Sequence, residues 1–259
     1  EVIPQSDAVI EDFSLCGGKL FVNYLDNVKS RLRVFEDNGT VVRDVEFPSL
    51  GTVSEVYGEW DSDEAFFAFS SFHIPSTIYR EKVSTGERSV WARLDVPVDS
   101  DRFELNQVFY TSKDGTRVPM FLLTPKGVKL NGKNPTLLYG YGGFNVSLTP
   151  SFSARAVSWV EQGGVYAVAN LRGGGEFGER WHEEGMLDRK QNVFDDFYAA
   201  ARWLFEHKYT DPDHLAIAGG SNGGLLVGTA MTQHPEMFRA VVCSYPLLDM
   251  LRYHKFLVA

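Results

Sequence analysis

A serine with glycine two residues to either side, Gly219-x-Ser221-x-Gly223, is the set in this sequence best suited to chemistry. The segment reads His214-Leu-Ala-Ile-Ala-Gly-Gly-Ser-Asn-Gly-Gly-Leu-Leu226: an apolar run, a glycine-rich turn, and a second apolar run with helical character. A serine on a sharp turn from strand to helix is lifted clear of the sheet, and the first N–H groups of the helix face an oxyanion formed beside it. Side chains two residues away would meet the crossing chain, so glycine is needed there. The chemistry this predicts is acyl transfer, in which the hydroxyl attacks a carbonyl and donors stabilise the tetrahedral oxyanion. The bland alternative is a glycine-rich turn with an incidental serine, and the strand before and helix after favour the elbow. A phosphate-binding reading fails on spacing. Gly173-x-Gly175-x-x-Gly178 does match the dinucleotide pattern, but Glu176 would set a carboxylate against the pyrophosphate.

An oxyanion site needs a donor from a second segment. Leu137-Leu-Tyr-Gly-Tyr141-Gly-Gly-Phe144-Asn145, a short apolar run ending in glycines, is the best candidate, and the Tyr141 hydroxyl can donate as well as a backbone N–H. Taken alone, Tyr141 is an ordinary core or rim aromatic. The serine also needs a base, and the base an orienting carboxylate, in the chain order Ser, Asp or Glu, His. After Ser221 the histidines are His234 and His254, and the aspartate is Asp249. His234 falls at the far end of the helix after the serine. Asp249 and His254 have the right order but follow the very next strand. The expectation is that neither partner lies within these residues.

The elements that position these groups change near residue 100. Before it, short runs at Lys19–Tyr24, Arg31–Glu36, Val41–Phe47, Val53–Tyr57, Ala65–Ser70, Thr77–Lys82 and Ser89–Leu94 are separated by Gly, Asn-Gly and Pro signals, which predicts antiparallel β-structure. Two groups of about four strands, each about 40 residues long, suit propeller blades. Two blades cannot close a ring. After residue 100, strands at Phe103–Thr111, Arg117–Thr124, Pro135–Tyr141, Val165–Asn170, His214–Ala218 and Ala240–Cys243 alternate with helices at Ser153–Gln162, Asn192–His207 and Gly224–Gln233. That order predicts an α/β layer with a mainly parallel, doubly wound sheet. The division expected is 1–102 and 103–259.

Composition narrows the function classes. Hydrophobic residues at 44% of the 259 exclude a disordered chain, and a net charge of −9 without a basic block argues against nucleic-acid binding. No apolar run approaches the roughly 20 residues that span a bilayer, and Glu1–Asp7 shows no secretory pattern. Cys16 and Cys243 exclude a disulfide scaffold, and a reducing, cytoplasmic setting is the simplest reading. His73, His182, His207, His214, His234 and His254 form no metal-binding motif, and neither metal nor cofactor is expected.

Four ordered words resemble the prolyl oligopeptidase family of serine peptidases: Tyr139-Gly-Tyr-Gly-Gly-Phe-Asn145, Ala169-Asn-Leu-Arg-Gly-Gly-Gly-Glu-Phe-Gly178, Asn192-Val-Phe-Asp-Asp-Phe197 and Gly219-Gly-Ser-Asn-Gly-Gly-Leu-Leu226. The resemblance implies a β-propeller joined to an α/β-hydrolase domain, and cleavage of short proline-containing peptides. It implies that Ser221 is the nucleophile, that the Tyr141 hydroxyl and the Asn222 backbone N–H bind the oxyanion, and that Phe144 and Leu247 line the proline pocket. It further implies that the triad Asp and His lie beyond residue 259, so that this stretch is an internal fragment, two terminal blades and the front of the catalytic domain, inactive alone. Alternatives are another branch of the family (a basic-residue oligopeptidase or an acylaminoacyl peptidase), an esterase or lipase, and a non-catalytic interaction fragment. Oligomeric state is not legible.

Overall fold

The structure, a computed structural model, describes residues 2–256. Contacts divide the chain into two compact units: residues up to Asp101 with Thr149–Val157, and Arg102–Leu148 with the residues from Ser158 onward. The short segment Thr149–Val157 belongs to the first unit through the Thr52 hydroxyl, which donates to Pro150 O at 2.8 Å, and the Ser153 N–H, which donates to Phe72 O at 3.1 Å.

The first unit holds two four-stranded antiparallel sheets. One is β1 (Val9–Cys16), β2 (Lys19–Asp26), β3 (Lys29–Phe35) and β4 (Val41–Asp44); the other is β5 (Thr52–Val53), β6 (Glu64–Ser70), β7 (Thr77–Lys82) and β8 (Arg88–Arg93), each in chain order. This is the two-group arrangement the turn spacing predicts. The sequence reading lacked β1, whose Val-Ile-Glu-Asp-Phe alternation is broken where the pairing slips between Ile10 and Asp12. Alternation is clean in β6, where Ala65, Phe67 and Phe69 point inward. They pack with Phe21, Leu32 and Val34 into a core that both sheets share. The β2–β3 hairpin turns on Asn27 and Val28, both at positive φ (49° and 65°). A β-branched residue resists that conformation, and complete burial of Val28 holds it there.

The second unit is a six-stranded mixed sheet. Its strands are β9 (Phe103–Thr111), β10 (Arg117–Pro125), β11 (Thr136–Gly140), β12 (Val165–Ala169), β13 (Leu215–Gly220) and β14 (Ala240–Ser244), in the order β14-β13-β11-β12-β10-β9. The β9–β10 and β10–β12 pairs are antiparallel, and the other three are parallel. Helix α1 (Ala154–Glu161) starts within the Thr149–Val157 segment of the first unit, and the helices wholly in the second unit are α2 (Glu179–Glu183), α3 (Gln191–Glu206) and α4 (Asn222–Gln233). All five residues of β12 are buried, as a strand covered on both faces requires. Helix α3 turns Val193, Phe194, Phe197, Ala200, Ala201 and Leu204 inward at helical spacing, into a core with Leu138, Ile217 and Leu226. The chain order reverses around β11, which has β12 on one side and β13 on the other. Crevices at the carboxyl ends of strands flanking such a point are where open α/β sheets bind ligands.

The loop after β12 is fixed by buried charge. Arg172 is 2% exposed; its Nε donates to Asp196 Oδ2 on α3 at 2.9 Å and its Nη2 to Asp196 Oδ1 at 2.6 Å. Its Nη1 donates to Asp114 in the β9–β10 turn at 2.5 Å. Asp114 feels some desolvation, but its bonds to Arg172 and Thr116 outweigh it and hold the carboxyl down at about 2. Glu176 on the same loop is nearly sealed, with Oε1 accepting the Leu148 N–H (3.1 Å) and the Asn170 amide (3.3 Å), and Oε2 making no hydrogen bond. Burial pushes this carboxyl up to about 7, against those two donors.

Because the folded-state value lies above the usual one, Glu176 favours folding fully only below the unfolded carboxyl value, and this contribution is lost as pH rises toward 7. Ionising it in place costs on the order of 3 kcal/mol. Glu176→Gln is therefore expected to match the parent protein in urea unfolding near pH 4 and to exceed it above pH 8 by about that amount. An equal shift at both pH values contradicts this.

Candidate active site

Strand β13 ends at Gly220 and α4 starts at Asn222, so Ser221 alone turns the chain from strand to helix. It does so at φ 55° and ψ −118°, a conformation that costs a residue with a side chain roughly 1–3 kcal/mol. Its surroundings over-determine it. The Ser221 N–H donates to Ser244 O at 3.1 Å, and its carbonyl accepts from Gly224 (3.0 Å), Leu225 (3.2 Å) and Leu247 (3.3 Å). The flanking glycines are steric necessities. A Cβ on Gly219 would lie 2.1 Å from Gly223 O, and one on Gly223 would lie 2.8 Å from Gly140 O.

Strands β11 and β13 run side by side in parallel, with Tyr139 opposite Ala218, so the residues after each strand emerge together. The tyrosine loop thus meets the elbow. The Asn222 side chain donates from Nδ2 to Tyr141 O at 2.5 Å, and the Tyr141 ring is near enough that a Cβ on Gly223 would touch its Cδ2 at 3.6 Å. Asn222 N–H, at the first position of α4, has no carbonyl four residues back within the helix to donate to. The predicted Ser221, Tyr141 and Asn222 are accordingly brought together. Leu247 reaches Ser221 through its backbone N–H, while its side chain packs half-buried on the core beneath. Phe144 stands on the tyrosine loop at φ 54° and is 54% exposed, outside the hydrophobic core.

Two groups in the site escaped the sequence reading. One is the Asn222 side chain, where only the backbone N–H drew notice. The other is Lys190, whose Nζ donates to Gly142 O at 2.7 Å and to Asn222 Oδ1 at 3.2 Å. Burial lowers this ammonium to about 8. A signal for it existed: a cation immediately before a helix opposes the helix dipole and calls for another reason to be there.

The later histidines stand elsewhere. His234 Nδ1 is 3.0 Å from Glu236 and its ring is edge-on to Tyr198, Asp249 pairs with Arg252, and His254 is exposed in the short turn Tyr253–Lys255. Among the described residues, no imidazole hydrogen-bonds the Ser221 hydroxyl, no cluster of three or more His, Cys, Asp or Glu could hold a metal, and no helix is long and apolar enough to cross a membrane.

The profile of the prolyl oligopeptidase family matches residues 150–258, and that of the prolyl oligopeptidase N-terminal beta-propeller domain matches residues 1–93. The chain belongs to the prolyl oligopeptidase family. Family relatives include the prolyl endopeptidase of Elizabethkingia meningoseptica, 41% identical over 256 residues, which span 99% of this chain and 36% of that protein. The Dictyostelium discoideum prolyl endopeptidase is 39% identical over 98% of this chain and 34% of its own length. A solved prolyl endopeptidase structure superposes with a TM-score of 0.91 at 53% identity, covering 99% of this chain and 38% of that one. The chain therefore spans a little over a third of the length of the curated relatives it matches. Within the family frame the two antiparallel sheets are propeller structure, and the mixed sheet is part of the α/β-hydrolase domain.

The strain at Ser221 is separable from its chemistry. Ser221→Gly is expected to unfold at a higher denaturant midpoint than Ser221→Ala, by about 1 kcal/mol at unchanged m-value, because glycine adopts this φ without penalty. Equal midpoints would show that the elbow is unstrained.

Proposed function

We propose that the polypeptide carrying this sequence is a serine-type oligopeptidase that cleaves short peptides after proline by acyl transfer. The observation that carries the reading is the meeting of three groups at the carboxyl ends of β11 and β13: Ser221 on its one-residue elbow, Tyr141 on the adjoining loop, and the Asn222 N–H at the start of α4. In this reading Ser221 Oγ attacks the scissile carbonyl as a base takes its proton. The carbonyl oxygen, now negative, is held by the Tyr141 hydroxyl and the Asn222 N–H. Collapse expels the amine, which takes the proton back from the base, and water then hydrolyses the ester on Ser221 by the same steps.

Phe144 and Leu247 form part of the wall against which the proline ring packs. An apolar pocket of fixed width favours a rigid ring over longer or charged side chains. The exposed ring of Phe144 and the proximity of the Leu247 backbone to Ser221 support this assignment. A relative supports the substrate class: prolyl oligopeptidase B from Galerina marginata, 36% identical over 99% of this chain, has been solved bound to a 25-residue macrocyclization substrate. In this reading the base and its carboxylate come from polypeptide outside these 259 residues, which the pairing of His234 with Glu236 and of Asp249 with Arg252 supports. On the same reading, residues 1–102 are propeller blades and the site is carried by the expected 103–259 division, corrected for Thr149–Val157, which packs with the first unit. The two free thiols, Cys16 buried and Cys243 exposed, fit a reducing cytoplasmic setting.

A fluorophosphonate probe followed by intact-mass measurement tests the reading. The polypeptide as its gene encodes it should be labelled once, at Ser221, and should turn over short peptides with proline before the scissile bond. Ser221→Ala should abolish both, and residues 1–259 produced alone should stay unlabelled. Labelling of the 259-residue piece would return the base to Asp249 and His254, and an unlabelled full polypeptide would overturn the peptidase reading.

A further inference from the structure

Lys190 lies directly before α3, yet its side chain ends between the two segments of the site. We propose that Lys190 is a positioning residue whose ammonium clamps the tyrosine loop to the serine elbow and so sets the spacing of the two oxyanion donors. The proposal rests on the peptidase reading above and adds to it a residue that touches neither substrate nor nucleophile.

The contacts form a closed ring. Tyr141 O accepts from Asn222 Nδ2 at 2.5 Å, Asn222 Oδ1 accepts from Lys190 Nζ at 3.2 Å, and Lys190 Nζ also donates to Gly142 O at 2.7 Å. The Tyr141–Gly142 peptide completes the circuit. Each polar end of the Asn222 amide is thereby matched, its NH2 to a carbonyl and its oxygen to an ammonium, which leaves one orientation for the side chain. The ring spans the residue that supplies the Tyr141 hydroxyl and the residue that supplies the Asn222 N–H. Stretching either contact moves one donor relative to the other.

The placement of a cation here needs such a role. Lys190 is part-buried, opposes the positive end of α3, and among the described residues has no carboxylate within ion-pair distance. Desolvating an ammonium without a counter-charge is costly unless charge-assisted hydrogen bonds offset it. Of the two bonds its ammonium makes, one goes to the loop and one to the elbow. The loop backbone approaches both neighbours closely: a Cβ on Gly143 would fall 2.5 Å from Asn222 Nδ2, and one on Gly142 would fall 2.3 Å from Val193 Cγ1 on α3. The loop, the elbow and the start of α3 are thus held at close contact, and Lys190 is the charged member that bridges all three.

Donors that act on the oxyanion stabilise the transition state more than the bound substrate, so disturbing their spacing lowers kcat and leaves KM nearly unchanged. A displacement of about 1 Å can cost on the order of 100-fold. In the full encoded polypeptide, Lys190→Met should lower kcat on a proline peptide by about 10- to 100-fold, with KM within about threefold. Asn222→Ala, which keeps the backbone N–H but opens the ring at its middle, should do the same. The double variant should be no worse than either single one, because both break one ring. Hydrogen exchange of the amides between residues 142 and 146 should quicken about tenfold in each variant.

A wild-type kcat in both variants, a rise in KM alone, or losses that multiply in the double variant would overturn the proposal. If Lys190→Met does not fold, Asn222→Ala decides. If the parent polypeptide turns over no peptide, the peptidase reading fails while loop exchange still decides the clamp, since unaltered exchange would refute it.

Discussion

At Ser221 the chain must pass from an extended strand to a helix within a single residue, and three neighbouring segments exist in their present form because of that turn. Gly219 and Gly223 carry no side chain since their backbones touch, at a separation where a Cβ on the first would meet the carbonyl of the second at 2.1 Å. The positive φ is not relaxed because the Ser221 N–H and carbonyl are both bonded, to Ser244 on one side and to Gly224, Leu225 and Leu247 on the other. Local strain persists where the surroundings fix it more than once. The result is a hydroxyl presented beside the start of a helix, where N–H groups lack helical acceptors and negative charge is favoured.

The sheet delivers the second half of the site to that point. Parallel pairing of β11 with β13 puts the Tyr141 loop and the elbow side by side, at the point of the sheet where the chain order reverses. The loop after β12 is held by buried and part-buried polar contacts. Arg172 ties the loop after β12 to Asp196 on α3 and to Asp114 in the β9–β10 turn, while Glu176 fixes the same loop to Leu148 and Asn170. Such groups are costly to bury and costlier to leave half-paired, so they specify a single arrangement of loops that glycine would otherwise leave free.

Much of this could be read from the residue string. The elbow was legible because its glycines, strand and helix all follow from one steric requirement, and the parallel strands because β12 and β13 are short apolar runs closed by glycine. Strand β1 was not, since Glu11 and Asp12 interrupt its alternation at the irregularity in its pairing. The Asn27–Val28 turn gave no sign either, because a valine at positive φ is selected by tertiary burial and not by local preference. Lys190 left one local sign, a cation immediately before a helix, but its role was not legible from that. Its meaning lies in contacts with Gly142 and Asn222, 48 and 32 residues away, and spacing along the chain does not encode such a meeting. The roles given to Phe144 and Leu247 came from family resemblance alone, as neither residue type marks a pocket by itself.

The account rests on Ser221, Tyr141 and Asn222 forming one oxyanion site. A crystal structure of the full encoded polypeptide inactivated with a phosphonate ester tests this most directly. The account predicts phosphorus bonded to Ser221 Oγ, with one phosphonyl oxygen about 3 Å from both the Tyr141 hydroxyl and the Asn222 N–H. Phosphorus on another residue, or that oxygen turned to solvent away from both donors, would contradict it.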